Sequence, residues 1–118
     1  MKKLLLSLAL VATSYGFSQV LQTENFNVLN VGNIGTDVTG TTAGQAGWFT
    51  FNGTGGTNGG NANYQVVLEG GIYGNAFQFT GSDAATGKKF MWKDGLPASW
   101  TARTAGNNII EVEFDYFT

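Results

Sequence analysis

The sequence contains no cysteine and no histidine, and it has 1 proline and only 12% charged residues. Without cysteine, the chain has no disulfide, no cysteine ligand for zinc and no lipid-modified cysteine. Without histidine, it has no histidine general base and no catalytic triad that needs one. The formal net charge of −2 argues against a nucleic-acid partner, because binding to a phosphate backbone requires clustered lysine and arginine.

Long apolar runs are missing as well, and this absence argues against a membrane span. Residues 4–12 are largely apolar, but a membrane-spanning helix needs roughly 20 residues. Lys2 and Lys3 precede this stretch, which is the pattern of a signal peptide. Gly16 and Ser18 are small and lie two positions apart, as a signal peptidase requires, so we predict cleavage after Ser18. The alternative is a buried N-terminal helix or strand.

Cleavage at this point leaves a single mature domain of residues 19–118. Four basic residues then remain against eight acidic ones, which gives a net charge of −4. An exported chain without cysteine fits bacterial export better than eukaryotic secretion. We therefore expect a secreted protein, or one on the outer cell surface, with no membrane anchor in the mature chain.

What the mature region does contain is glycine and aromatic residues, with 18 glycines in the whole chain and 14% aromatics. Short runs alternate apolar and polar residues, as half-buried antiparallel strands do. They predict strands at 48–51, 64–69, 76–80, 89–93 and 110–116, with a mixed run at 20–29. Glycine and asparagine separate these runs as turn residues. No sustained helical periodicity is present, so we predict no long helix.

Several short strands joined by glycine-rich turns predict an all-β fold, a β-sandwich or a barrel, and we favour an antiparallel β-sandwich over residues 19–118. The cleanest alternation, 110–116, lies at the end of the sequence. We therefore expect the domain to continue beyond residue 118. The alternative is a complete small domain in which this strand is central.

Three acidic residues share one parity of that last run: Glu111, Glu113 and Asp115. Paired carboxylates can hydrolyse glycosidic bonds, one as acid and one as nucleophile. The stretch 113–118 resembles the E-x-D-x-x-E signature of laminarinase-like glycoside hydrolases. However, the position that would hold the acid/base is Thr118, which cannot supply the proton. We therefore assign no catalytic residue. The alternative interpretation is that the three acidic residues form the solvent-exposed face of a strand.

Two tryptophans, Trp92 and Trp100, lie in a turn-rich stretch and are the candidate ligand-binding aromatics. Sugar rings stack on flat aromatic faces, and polar neighbours bond the sugar hydroxyls. Four such neighbours are present: Asp94, Arg103, Asn107 and Asn108. We predict Trp92, Asp94, Trp100 and Arg103 as ligand contacts. The alternative is that both tryptophans belong to the core or cover it.

Two further patterns are weaker indications of a binding site. The glycine-rich stretch 53–63 begins like a phosphate-binding loop but lacks the required third glycine and β-α-β context, which favours a flexible hairpin loop. Oxygen ligands for Ca²⁺ are scattered over Asp83, Asp94, Asn107 and Asp115. Because they form no contiguous calcium motif, we predict no metal and no cofactor, with Ca²⁺ as the alternative.

Over most of residues 20–118, the chain resembles a known family. Four segments resemble parts of concanavalin-like (LamG-type) jelly rolls: an opening stretch at 23–35, a G-x-x-G-W turn at 44–48, the segment 91–97 and the closing run 111–117. They are similar to the N-terminal region of secreted flavobacterial proteins that end in a type IX sorting domain. The resemblance implies a jelly-roll fold and an extracellular role.

Together these patterns predict an exported binding or adhesion module directed at carbohydrate, a polysaccharide or glycan surface. Two alternatives stay open. One is the N-terminal part of a jelly-roll glycoside hydrolase whose acid/base lies after residue 118. The other is a structural surface protein that binds no small ligand.

Overall fold

The computed structural model describes residues 19–106 and 108–116, so the predicted signal peptide at 1–18 lies outside the described residues. These residues form five strands and one short α-helix: β1 (Gly32–Asn33), β2 (Trp48–Asn52), β3 (Tyr64–Gly70), β4 (Gly74–Phe79), β5 (Lys89–Lys93) and α1 (Leu96–Thr101). Short 3-10 turns at Gln45–Gly47 and Asn61–Asn63 lead directly into β2 and β3.

The strands form two antiparallel sheets. One sheet has the order β1-β3-β4, and the other pairs β2 with β5 from Trp48 opposite Lys93 to Asn52 opposite Lys89. The chain is therefore of the all-β class with antiparallel pairing, as the alternation predicted. The predicted strands at 48–51, 64–69, 76–80 and 89–93 match β2 to β5 within two residues at each end.

Strand β3 shows why these sequences form strands. Tyr64 and Val66 are fully buried on one face, while Gln65 between them is only half-buried and points to the other. The turn to β4 uses glycine in left-handed conformations, with Gly70 at φ 75° and Gly71 at φ 60°. Glycine adopts these angles without the steric penalty of a Cβ atom, so the chain reverses there and the two strands pair.

A small apolar core connects the sheets. Its buried members are Leu29, Ile34, Tyr64 and Val66, against which five partly buried side chains pack: Phe26, Val38, Trp48, Phe77 and Met91. Because Met91 and Trp48 belong to the β2–β5 sheet and Val66 to the other, the core side chains hold one sheet against the other. The mixed run 20–29 supplies two core residues without forming a strand.

Polar side chains close the remaining gaps between the sheets. The Tyr64 hydroxyl donates to the Phe51 carbonyl oxygen at 2.7 Å and lies 2.8 Å from the Asn52 side-chain oxygen. The hydroxyl of Thr50, which is fully buried, donates to the carbonyl oxygen of Asp37. Both bonds give a buried hydroxyl a backbone acceptor, as buried polar groups require.

Two local predictions were wrong. The predicted strand at 110–116 forms no strand, and its apolar side chains are exposed, with Phe114 at 77%. A strand requires a neighbouring strand to bond its backbone, and alternation alone does not supply that partner. The stretch 96–101, expected as a loop, forms α1, whose first turn contains Pro97. Proline favours this position because its fixed φ suits a helix start.

Candidate functional site

Four aromatic side chains share the outer face of the β2–β5 sheet: Phe49, Phe51, Phe90 and Trp92. We call this set the aromatic face. The register places Phe49 opposite Trp92 and Phe51 opposite Phe90. The Phe49 and Trp92 rings are nearly parallel, at 7° and 5.5 Å between centroids, and the Phe51 and Phe90 centroids are 6.2 Å apart. One stacked and one tilted cross-strand pair thus produce one continuous apolar surface.

The aromatic face is open to solvent on β5. Trp92 is 37% exposed and Phe90 is 51% exposed, while Phe49 and Phe51 are half-buried. The Trp92 ring reaches across β2 to Gly40, where a Cβ atom would lie 2.5 Å from the far edge of the indole. Glycine at this position therefore leaves room for the far edge of the indole beside the loop that precedes β2. Contiguous exposed aromatic surface of this kind marks binding sites in soluble proteins.

The predicted ligand residues fall into two groups. Trp92 lies on the aromatic face, and Asp94 is exposed directly after β5. Trp100 is half-buried in α1, and the Arg103 guanidinium stacks on its ring with the Cζ atom 3.7 Å from the ring centroid. The structure therefore brings Trp100 and Arg103 together, while Trp92 stacks on Phe49.

Arg103 is held in place by hydrogen bonds as well as by stacking. One guanidinium nitrogen donates to the Trp100 carbonyl oxygen at 2.7 Å, and the other donates to the Asn108 side-chain oxygen at 2.8 Å. Asn108, also considered as a ligand residue from the sequence, thus orients the guanidinium. Asn107 lies outside the described residues.

Sequence reasoning missed three members of the aromatic face as site residues: Phe49, Phe51 and Phe90. Alternation did place Phe49 with Phe51, and Phe90 with Trp92, on one parity of each strand. It could not show that the two pairs share a face, because this depends on the register between strands that are 36 residues or more apart in sequence.

A cluster of polar and charged side chains surrounds Glu24, and the sequence analysis did not predict it. Its carboxylate accepts hydrogen bonds from the Trp48 indole N–H and from the Lys93 ammonium, both at 3.1 Å. The ammonium also lies 5.7 Å from the centre of the Trp48 ring, a cation–π distance. Burial raises the pKa of Glu24, but the Phe26 backbone N–H, Lys93 and Trp48 outweigh it and lower that pKa overall. A carboxylate held ionised in this way fixes structure and is a poor general acid.

Glu24 and Lys93 line a shallow groove of about 330 Å³ that Thr23, Asn25, Val28 and Ala46 complete. Ala46, which lines this groove, and Phe26, which follows the lining residue Asn25, have left-handed backbones without being glycine, at φ 50° and φ 60°. The hydrogen bond from the Phe26 N–H to Glu24, at 3.0 Å, and the stacking of Phe26 on Trp48 help hold Phe26 in this conformation. The groove is thus built around an ion pair that already satisfies its own charges.

The glycine-rich stretch 53–63 is tied to the segment before β5. Asp83 accepts hydrogen bonds from the backbone N–H and the hydroxyl of Thr57, at 2.8 and 2.6 Å. The Lys89 ammonium donates to the backbone and side-chain oxygens of Asn58, at 2.9 and 2.8 Å. These contacts tie the stretch to the segment before β5, and because the flanking strands β2 and β3 lie in different sheets, the stretch is not the hairpin loop that the sequence favoured.

The loop before β2 has its own anionic centre in Asp37. Its carboxylate accepts the backbone N–H of Thr39 at 2.9 Å and that of Thr42 at 3.0 Å. The Thr39 N–H is the largest cause, and together these donors lower the pKa of Asp37 from 3.8 to about 2. The same loop carries Gly40, which contacts Trp92, so Asp37 helps to shape one border of the aromatic face.

Acidification should therefore destabilise the chain in a defined range. Because the folded pKa of Asp37 is below its ordinary value, its contribution is complete above about 3.8 and is lost as pH falls towards about 2. We expect the urea midpoint to fall between pH 5 and pH 2.5, and to fall less in Asp37→Asn, which cannot be protonated there. Asp94→Asn, at an exposed site, is the control. An identical fall in Asp37→Asn and the unmodified chain would contradict the assignment.

Among the residues that the structure describes, no three or more acidic side chains come together in a group that could hold a metal ion. Of the scattered calcium candidates, Asp83 is bonded to Thr57 and Asp94 is exposed. Glu111, Glu113 and Asp115 are exposed along a segment outside both sheets. The candidate site thus consists of aromatic surface and hydrogen-bonding groups.

Over residues 19–106 and 108–116, no helix is long and apolar enough to cross a membrane. No protein-family model matches the chain, and no curated protein and no solved structure matches it. The aromatic face between the two strands of the β2–β5 sheet is therefore the candidate site on geometry and chemistry alone.

Proposed function

We propose that this chain is an exported binding module whose aromatic face receives a carbohydrate. The observation that carries the proposal is the side-by-side exposure of Trp92 and Phe90 on an ordered sheet face, with Trp92 stacked parallel to Phe49. The apolar face of a sugar ring packs against a flat aromatic surface of this size. An open face without a deep cavity suits an extended polysaccharide better than a small enclosed ligand.

Charge narrows the class of carbohydrate. With residues 1–18 removed, the chain has a net charge of −4, and an anionic glycan would meet net repulsion. The lysine nearest to Trp92, Lys93, is already paired with Glu24 at 3.1 Å. A neutral polysaccharide such as a glucan is therefore the ligand class that this surface favours.

Each ligand residue has a distinct role in this proposal. Trp92 provides the stacking platform, and Asp94, two residues later and exposed, accepts hydrogen bonds from sugar hydroxyls. Trp100 and Arg103 form a second contact next to α1. There the guanidinium covers the ring at 3.7 Å, so sugar hydroxyls would meet its N–H groups.

The finer fold and the location belong to the same proposal. Two antiparallel sheets with core side chains between them support a β-sandwich of the concanavalin-like jelly-roll type. Lys2, Lys3 and the apolar stretch 4–12 support export through a signal peptide. Secretion to the cell surface of a flavobacterium or relative, by the type IX route, follows from the resemblance.

The decisive variant is Trp92→Ala, compared with Trp92→Phe. In a binding assay of the mature chain against a panel of neutral glucans, we expect Trp92→Ala to bind at least about tenfold more weakly, as for an aromatic anchor of an interface. Trp92→Phe retains a ring and should recover part of the loss. Since Trp92 lies outside the core cluster, both variants should keep the circular dichroism of the unmodified chain.

Tyr116→Ala is the matched control, because Tyr116 is an aromatic residue exposed away from the aromatic face. Its glucan affinity should equal that of the unmodified chain. Unchanged affinity in Trp92→Ala would exclude the aromatic face as the site. If the unmodified chain bound none of the glucans, a structural role would be favoured, and release of reducing sugar would favour a glycoside hydrolase.

A further inference from the structure

The loop that precedes β2 lies along the side of β2 away from β5. Phe51 is opposite Phe90 in β5 on one side and forms an antiparallel bridge with Thr39 on the other. The Gly40 N–H donates to the Thr50 carbonyl oxygen at 2.9 Å, which continues this contact. Opposite residues in an antiparallel pair point to the same face of a sheet. The Thr39 side chain therefore borders the aromatic face.

The Trp92 ring reaches the same border. Gly40 lies between Thr39 and Thr41, and a Cβ atom at Gly40 would lie 2.5 Å from the Cη2 atom at the far edge of the indole. The Thr39 hydroxyl donates to the Thr41 hydroxyl with 2.9 Å between the oxygens, and both residues are exposed. Two hydroxyls of exposed residues thus lie next to the edge of the proposed stacking platform.

Asp37 fixes the backbone that carries these two hydroxyls. Its carboxylate accepts the N–H groups of Thr39 and Thr42 at 2.9 and 3.0 Å. The bond between the two hydroxyls leaves one acceptor and one donor for a ligand, because the Thr39 oxygen still has lone pairs and Thr41 keeps its own proton. A donor and an acceptor side by side match two neighbouring hydroxyls of a sugar, one of which donates while the other accepts.

The shape of a pyranose ring determines which of its hydroxyls can reach this border. When the ring stacks on an aromatic side chain, its C–H groups make the contact and its equatorial hydroxyls point outwards in the plane of the sugar. A pyranose stacked on Trp92 therefore directs the equatorial hydroxyls of one edge at Thr39 and Thr41. An axial hydroxyl, such as the one in mannose, leaves this plane. A site built to bond a hydroxyl discriminates against a sugar that does not place one there.

We propose that Thr39 and Thr41 are specificity-determining residues of the aromatic face, whose paired hydroxyls bind two neighbouring equatorial hydroxyls of a pyranose stacked on Trp92. This inference rests on the proposed function, because it requires a sugar on the aromatic face. It adds a preference for chains of glucose over chains whose sugars have an axial hydroxyl. The loop before β2 then takes part in recognition beside the two strands that provide the stacking rings.

Binding of two soluble hexasaccharides, cellohexaose and mannohexaose, tests the pair, and the unmodified chain should prefer cellohexaose. Thr39→Val and Thr41→Val remove a hydroxyl but keep a β-branched side chain. Each should weaken cellohexaose binding about three- to tenfold, as one lost hydrogen bond does, and mannohexaose binding by less. Thr39→Ser keeps the hydroxyl and should bind like the unmodified chain. Thr80→Val, at an exposed threonine after β4 in the other sheet, is the matched control and should change neither affinity.

Trp92→Ala separates this inference from the proposed function, because loss of the ring should weaken the binding of both hexasaccharides alike. If Trp92→Ala loses affinity while Thr39→Val and Thr41→Val keep the affinity and the preference of the unmodified chain, the threonine pair is excluded and the aromatic face remains the site. A loss in Thr39→Ser as large as that in Thr39→Val would also overturn the inference, since the hydroxyl would not be its cause. If the unmodified chain binds neither hexasaccharide, both proposals fail.

Discussion

Replacing Gly44 by alanine is expected to lower the free energy of unfolding by about 3 kcal/mol or more, the upper range for forcing extra volume into a packed site. A Cβ atom there would overlap the Ile34 carbonyl oxygen and lie 2.6 Å from the Cα atom of Gly35. Both obstacles are backbone, so no side chain can move aside. The φ of −93° lies outside the left-handed region that favours glycine, so this close approach is the main expected source of the loss.

The close approach also explains why the substitution would affect the whole core. The N–H of Gly44 donates to the Trp48 carbonyl oxygen and that of Gln45 donates to the Ile34 carbonyl oxygen, each at 2.7 Å. Separating these segments would break both bonds and pull the fully buried Ile34 from its neighbours. Urea denaturation followed by tryptophan fluorescence would measure the effect.

Gly81→Ala is the matched control, because a Cβ atom at Gly81 meets nothing within 4 Å and its backbone angle suits alanine. Its midpoint should stay within experimental error of the unmodified chain. Equal midpoints for Gly44→Ala and Gly81→Ala would show that the 34–44 contact does not stabilise the fold.

Truncating Tyr64 should have the second large effect, with Tyr64→Ala expected to cost about 3–5 kcal/mol, as for other large buried aromatic residues. Tyr64 is fully buried and packs against Phe79 at 5.5 Å between ring centroids. Its hydroxyl, whose pKa burial raises, stays protonated and donates to the Phe51 carbonyl oxygen of the other sheet. One side chain therefore contributes both core volume and a hydrogen bond between the sheets.

Tyr64→Phe separates these two contributions. It keeps the ring and removes the hydroxyl, so the Phe51 carbonyl loses its partner at a cost of about 1–2 kcal/mol. Free energies of unfolding from urea titration should rank the unmodified chain first, Tyr64→Phe second and Tyr64→Ala last. If Tyr64→Phe were as stable as the unmodified chain, the hydroxyl bond between the sheets would make no net contribution.

Much of the fold could be predicted from local alternation. In β3, the alternation placed Tyr64, Val66 and Leu68 on one face; Tyr64 and Val66 are fully buried there, while Leu68 is 70% exposed. Four strands were located in this way because their apolar side chains repeat with the period of two that a sheet imposes. The same argument failed at 110–116, where the period is clearest but no neighbouring strand bonds the backbone.

The candidate site was less predictable because its residues meet only in space. Trp92 was identified from the sequence, but its partner Phe49 comes from a different strand, paired through the β2–β5 register. Glu24 gave no local pattern, since the Trp48 and Lys93 groups that bond its carboxylate come from two later strands. Long-range polar contacts of this kind leave no periodicity for a sequence argument to use.

The amino-acid sequence alone determined the all-β class, the location of four strands and the absence of cysteine and histidine side chains, because these follow from composition and from the two-residue repeat of a strand. Only the tertiary structure decided which strands pair, that Phe49, Phe51, Phe90 and Trp92 share an open face, and that Glu24 holds Lys93 against Trp48. Pairing and burial depend on interactions between segments far apart in the chain. Each of these interactions forms only when the other segment is in place.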